Sequence, residues 1–215
     1  YPQTDYECGP AALAGLLGGA GVSATPQSLS PQVYLPGRQG SLQVELLAAT
    51  RRAGRIPYVL DPVPAALLDQ LESGRPVLVF QNTRTQHFPV WHYAVLVGFD
   101  RQRNLLYLNS ATQQQMAVEA PAFLRSWDWA QRWALLALPP GEVPVGAESA
   151  RYNEAVSNFE AVAGVAAALP AWEAAVQRWP SEPLPWLALG NEAYAAGRLD
   201  AAVDYYRRGL DSNPQ

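Results

Sequence analysis

The sequence predicts an α+β domain followed by an all-helical segment, and three observations predict it. Helical apolar spacing dominates up to Gly74. From Pro76 to Leu138 short apolar runs alternate with polar turns, as in an antiparallel sheet. Past the Pro/Gly-rich stretch Pro139-Pro140-Gly141-Glu142-Val143-Pro144-Val145-Gly146 strand signals stop and alanine-rich helical patterns take over. Helices first and strands later define the α+β class. The expected organisation is a domain over 1–140, a linker over 141–149 and a helical segment over 150–215.

Each element has its own local reason. Pro10 suits the first turn of a helix, where its missing N–H would be an orphan anyway. Ala11, Ala12, Leu13, Leu16 and Leu17 carry that helix on, and Gly18-Gly19-Ala20-Gly21 ends it. Residues 22–39, rich in Ser, Pro and Gly, read as loop with a short helical turn near Leu29. Ser41 is expected to cap a helix through Leu42, Leu46, Leu47 and Thr50, closed near Gly54. Ile56 to Leu60 reads as a short edge strand because of Pro57. Pro64 opens a helix closed by Gly74. Strands are expected over 76–80, 92–100 and 105–109, the last two joined as a hairpin by Arg101-Gln102-Arg103-Asn104. A short strand over 116–118, a helix over 121–129 and a strand over 133–138 complete the domain.

Composition excludes several classes of function. Hydrophobic residues make up 49% of the chain and charged ones 16%, enough to bury a core. There is no uninterrupted apolar run long enough for a membrane span. A net charge of −4 gives no basic footprint for nucleic acid. All fifteen basic residues are arginine, a bias attributable to base composition rather than chemistry. One cysteine excludes an internal disulfide. No phosphate-cradling loop or dinucleotide fingerprint occurs, and two histidines with one cysteine make no usual zinc site; no cofactor is expected. The sequence opens on Tyr1 without a charged-then-apolar leader, which suggests a trimmed, exported form, although a cytoplasmic location stays open.

The chemistry concentrates on Gln3-Thr4-Asp5-Tyr6-Glu7-Cys8-Gly9-Pro10. A thiol where a loop becomes a helix faces unpaired N–H groups and the positive end of the helix dipole, both of which favour thiolate. The competing reading of Cys8 is a small buried hydrophobe. The only histidines are His87, in a polar loop, and His92, at the start of the longest strand. A base needs a rigid position, which favours His92. Asn109 ends the next strand, and antiparallel pairing is expected to set it beside His92, where its amide would fix the imidazole tautomer. Gln3, five residues before Cys8, is within reach as a side-chain donor to an oxyanion, together with the Cys8 backbone N–H. Asp5 and Glu7 would repel that charge and are assigned to the loop.

Gln3 to Leu13, His92-Tyr93-Ala94-Val95-Leu96-Val97-Gly98-Phe99-Asp100 and Asn109 together resemble the bacteriocin-processing, double-glycine type of papain-like cysteine peptidase. The resemblance covers roughly 1–140, in the order nucleophile, histidine, Asp or Asn. It implies a papain-like fold with Cys8 as nucleophile, His92 as general base and acid, Asn109 as orienting residue and Gln3 as oxyanion donor. Many members have Asp-Pro where this chain has Asn109-Ser110, and an amide cannot stabilise imidazolium by charge. Exporter-fused members cleave after two glycines; no transporter segment is present, so the substrate does not follow. A peptidase-like binding module without turnover is the alternative. A substrate peptide or protein is the implied partner.

In the helical segment Trp186, Leu189, Gly190, Tyr194, Gly197, Ala202, Tyr206 and Pro214 stand at offsets resembling a tetratricopeptide repeat, with Gly209 where an alanine is usual. Moving back 34 residues keeps the second half of a repeat in Ala168, Trp172, Ala175 and Pro180. The first half is degenerate, and Pro170 predicts a kink or a late helix start. Such repeats imply a protein partner or substrate recruitment.

Overall fold

The computed structural model describes residues 8–38, 40–110 and 113–212. In chain order the elements are α1 (Cys8–Gly19), α2 (Pro26–Val33), β1 (Tyr34–Leu35), β2 (Gly40–Ser41), α3 (Gln43–Arg52), β3 (Ile56–Val59), α4 (Pro64–Glu72), β4 (Val77–Asn82), β5 (Trp91–Asp100), β6 (Leu105–Asn109), β7 (Met116–Glu119), α5 (Ala120–Asp128), β8 (Ala134–Leu138), α6 (Ser149–Ala163), α7 (Val165–Arg178), α8 (Pro183–Ala195) and α9 (Leu199–Asp211). They cluster into two compact units, one of residues 1–53 with 59–137, the other of 54–58 with 138–215.

The first unit is a mixed α and antiparallel-β structure whose sheet carries strands in the order β8-β4-β5-β6-β7. Antiparallel strands bury alternate residues on alternate faces. On one face Tyr93 and Val95 of β5 join Leu13, Leu16 and Leu17 of α1 in a single core cluster. All three leucines are essentially fully buried, each worth about 1.5–3 kcal/mol relative to exposure. On the other face α5 buries Phe123 and Trp127, and its Ser126 Oγ accepts from Gln81 Nε2 of β4 at 2.7 Å. The Trp127 indole N–H donates to the Trp133 carbonyl at 3.0 Å, so the large ring is buried without an orphaned donor.

Two local expectations need correction. Residues 26–33, read from composition as mostly loop, form the full helix α2. Its start is held by a capping box: Thr25 Oγ1 accepts the Ser28 N–H and Ser28 Oγ accepts the Thr25 N–H, both at 3.2 Å. Pro26 in the first turn fits the same start. Ser41 does not cap α3; the cap position is Leu42, with no side-chain bond. Ser41 ends β2 instead, with its Oγ buried and unpartnered.

In the second unit two helical hairpins follow one another. Helices α8 and α9 start 34 residues after α6 and α7. Pro170 neither delays nor ends α7, which begins at Val165 directly after Gly164 in the left-handed region at φ +89°. That glycine lets one helix stop and the next start with no loop between them. Trp172 Nε1 donates to Glu160 Oε2 at 2.5 Å within the first hairpin. In the second, a Cβ at Gly190 would come within 2.4 Å of the Tyr206 ring, so α8 and α9 approach at a point only glycine fits. Among the described residues no helix is long and apolar enough to cross a membrane.

Candidate active site

Cys8 is the first residue of α1, as its sequence context predicts. It is half-buried and a free thiol, and it packs at the margin of the core cluster that contains Tyr93. The N–H groups of a helix's first turn have no intrahelical partner. Gly9 permits this position: a Cβ there would stand 3.8 Å from Tyr93 Cδ2 but only 2.2 Å from Ser41 Oγ. The Tyr93 hydroxyl donates to the Ser41 carbonyl at 3.2 Å. Burial, and secondarily negative charge at Cys8, hold the Tyr93 hydroxyl far above its ordinary pKa, so it stays protonated and able to donate.

His92 is half-buried near the start of β5. It pairs with Gln81 of β4, and Phe80 pairs with Tyr93. Alternation therefore directs His92 to the α5 face and Tyr93 to the α1 face. The imidazole borders a groove of about 250 Å³ with Ala94, Leu108, Met116 and Ser126. Its Nε2 lies 3.1 Å from Ser110 Oγ. Burial depresses its pKa below the usual 6.5, because the interior disfavours imidazolium.

The expectation that Asn109 stands across the ladder from His92 is not met. Asn109 pairs with Val95, three positions along β5. β6 has five residues against ten in β5, so it ends well before the His92 level. A register shift between Leu96 and Gly98 then turns Asn109 onto the Val95 face rather than the His92 face. Asn109 Oδ1 accepts the Gln115 N–H at 2.8 Å, a turn-forming bond. Continuing the register by one residue sets Ser110 diagonal to His92 on its own face. Sequence reasoning missed Ser110; the unequal strand lengths and the alternation of faces were the signal available. Gln3 lies outside the described residues. His87 sits in the exposed loop between β4 and β5. Among the described residues no three His, Cys, Asp or Glu side chains gather as a metal site.

A family model described as "Peptidase_C39 like family" matches residues 1–134. The chain belongs to that family. Its fold is that of C39-like peptidases: the chain is similar to the peptidase domain of Streptococcus ComA, a bi-functional ABC transporter involved in a quorum-sensing pathway, at TM-score 0.51 and 20% identity over 64% of this chain and 96% of that one. It also aligns with a Bacillus anthracis protein described as a C39-like peptidase, at TM-score 0.49 and 16% identity, over 62% of this chain and 89% of that one. No curated protein matches. Family membership makes the chain a peptidase-fold protein with a peptide as the implied substrate.

Proposed function

We propose that the chain is a cysteine peptidase with Cys8 as nucleophile and His92 as general base and acid. The observation that carries this reading is a free thiol on the first turn of α1, packed against the cluster holding Tyr93, the chain neighbour of His92. With Nε2–H donating to Ser110 Oγ, Nδ1 is left to take the thiol proton, and the reading requires that nitrogen to be brought from the α5 face, where the strand alternation directs His92, to the α1 face of Cys8. The sulfur attacks the peptide carbonyl carbon and the carbonyl π pair moves onto oxygen, where the Cys8 N–H and the Gln3 amide stabilise it. Collapse breaks the C–N bond as imidazolium gives its proton to the departing amine. Water, deprotonated by His92, then cleaves the thioester and restores the thiol.

Ser110 takes the orienting place in this scheme. A hydroxyl can fix the ring but carries no charge to stabilise imidazolium. That observation favours the second reading as well, a peptidase-like module that binds peptides without turnover. Alkylation of Cys8 by iodoacetamide across pH separates the two. The peptidase reading expects fast labelling near neutral pH, slowed in His92→Ala. Ser110→Ala should slow it by about tenfold, with Asn109→Ala close to the parent. A thiol no more reactive than free cysteine in parent and His92→Ala alike would falsify the enzyme.

We further infer that α6–α7 and α8–α9 form tetratricopeptide-like hairpins that recruit a substrate or partner protein. The 34-residue offset of the helix starts supports this, as does the fit of Gly190 against Tyr206. A shallow groove of about 470 Å³, with Leu184 and Leu187 on its wall, is the expected contact surface. Leu187→Arg should abolish co-purification of whatever protein the parent retains; unchanged retention removes the recruiting role.

A further inference from the structure

Trp91 stands immediately before His92, and its side chain belongs to the opposite face, that of Tyr93 and Cys8. It pairs with Asn82 and stacks on Phe80, with ring centroids 5.2 Å apart and planes 17° from parallel. Phe80 in turn lies against Tyr93 at 4.5 Å, and Tyr93 meets the edge of Trp133 at 6.1 Å. Phe80, Trp133 and Cys8 all pack against the core cluster that contains Tyr93. A continuous file of rings thus runs from the thiol's surroundings outwards. Yet Trp91 is 50% exposed, although a ring of this size is normally covered.

The segment that carries Trp91 is built rather than loose. Asn82 is 1% exposed, and its amide ties the loop at three points. Nδ2 donates to the Thr85 carbonyl at 2.8 Å, while Oδ1 accepts from the Arg84 N–H at 3.2 Å and the Val90 N–H at 3.0 Å. Thr85 Oγ1 accepts the Phe88 N–H at 3.1 Å. The loop holds Phe88 at 74% exposure. A buried amide fixing a loop whose apolar side chains face water is the arrangement of a preorganised contact surface, since ordering costs are met before binding.

We propose that Trp91, backed by Phe80 and flanked by the Asn82-pinned loop, is an aromatic ledge that receives a large apolar side chain, aromatic for preference, of the substrate peptide beside the scissile bond. The ledge rests on the peptidase reading for its occupant: Trp91 precedes His92 in the chain, its ring file leads through Phe80 to Tyr93, whose core cluster Cys8 packs against, and a peptide is the substrate class the family implies. An aromatic side chain gains both area removed from water and ring-on-ring contact there. Small or charged side chains gain neither.

The test is equilibrium binding to the full chain carrying Cys8→Ser, read by fluorescence anisotropy. The probes are blocked, dye-labelled decapeptides of Gly and Ser with one central Phe, Leu, Ala or Glu. The Phe peptide should bind best, about tenfold tighter than the Ala peptide. Trp91→Ala should bring that ratio close to one, Trp91→Phe should restore most of it, and Phe88→Ser, at a solvent-exposed position, should lower it. Equal affinity for all four peptides, no measurable binding of any, or a preference that survives Trp91→Ala overturns the ledge. So does a dimer of the parent that Trp91→Ala dissolves, since a second copy would then be the occupant. Binding needs no turnover, so the two readings fail separately. A chain that prefers Phe but cleaves nothing loses the peptidase and keeps the ledge; one that cleaves without preference loses the ledge alone.

Discussion

Cys8→Ala should reduce peptide hydrolysis to background, and His92→Ala should lower kcat/KM by about 10²–10⁴-fold, the usual worth of a positioned acid–base group. The loss belongs in kcat, because the imidazole acts on protons in flight rather than on the bound peptide. A mixed-peptide digest followed by mass spectrometry, with active-site titration of Cys8, measures both. The pH dependence adds a sign. Burial lowers the His92 pKa, so the neutral base persists to lower pH than a free imidazole would. The acid limb of kcat/KM should therefore fall below pH 6.5, full activity being present above it and lost as His92 takes a proton. An acid limb above that value would mean that a charged partner, not desolvation, governs the ring. If His92→Ala hydrolyses peptides as the parent does, the assignment of the base is wrong.

What could be read from the sequence and what could not divide on a physical line. Cys8 at a helix start followed from Pro10 and the apolar run after it, because first-turn preferences are local. The hairpin of β5 and β6 was equally local, marked by a polar turn closed by Asp100 Oδ1 accepting the Arg103 N–H and by Asn104 at φ +54°. The partner of His92 was not local. It depended on where β6 stops and on a register shift between Leu96 and Gly98, and a single residue of shift exchanges the faces. Even pairing without that shift would set Asn109 opposite Leu96, on the His92 face. Helix α2 was hidden for another reason: its prolines and serines read as loop until the reciprocal bonds of Thr25 and Ser28 are considered together. The 34-residue rhythm of the second unit was visible in the sequence because small and aromatic residues mark where helices touch, as Gly190 and Tyr206 do.

Gly9→Ala should destabilise the first unit and impair the thiol together, whereas Gly18→Ala in the same helix should do neither. Both replacements exchange a helical glycine for the best helix former, a local gain of about 0.5–1 kcal/mol. At Gly18 nothing lies within 4 Å of the added Cβ, so the gain stands. At Gly9 the Cβ would meet Ser41 Oγ at 2.2 Å and Ser41 Cβ at 2.5 Å. Rotating the hydroxyl away cannot relieve the second contact, so backbone must move, at a cost of about 1–3 kcal/mol. The net cost, up to about 2.5 kcal/mol, should lower Tm by up to roughly 10 °C, as read by calorimetry. The movement falls on the residue next to Cys8, and an error of about 1 Å at a nucleophile costs roughly 100-fold in rate. Alkylation and hydrolysis should therefore fall more than stability does. Ser41→Gly removes both clashing atoms while leaving the carbonyl that accepts from Tyr93, so the double variant Gly9→Ala, Ser41→Gly should recover Tm and most of the rate. A double variant as impaired as Gly9→Ala alone would show that the contact with Ser41 is not what keeps glycine beside the thiol.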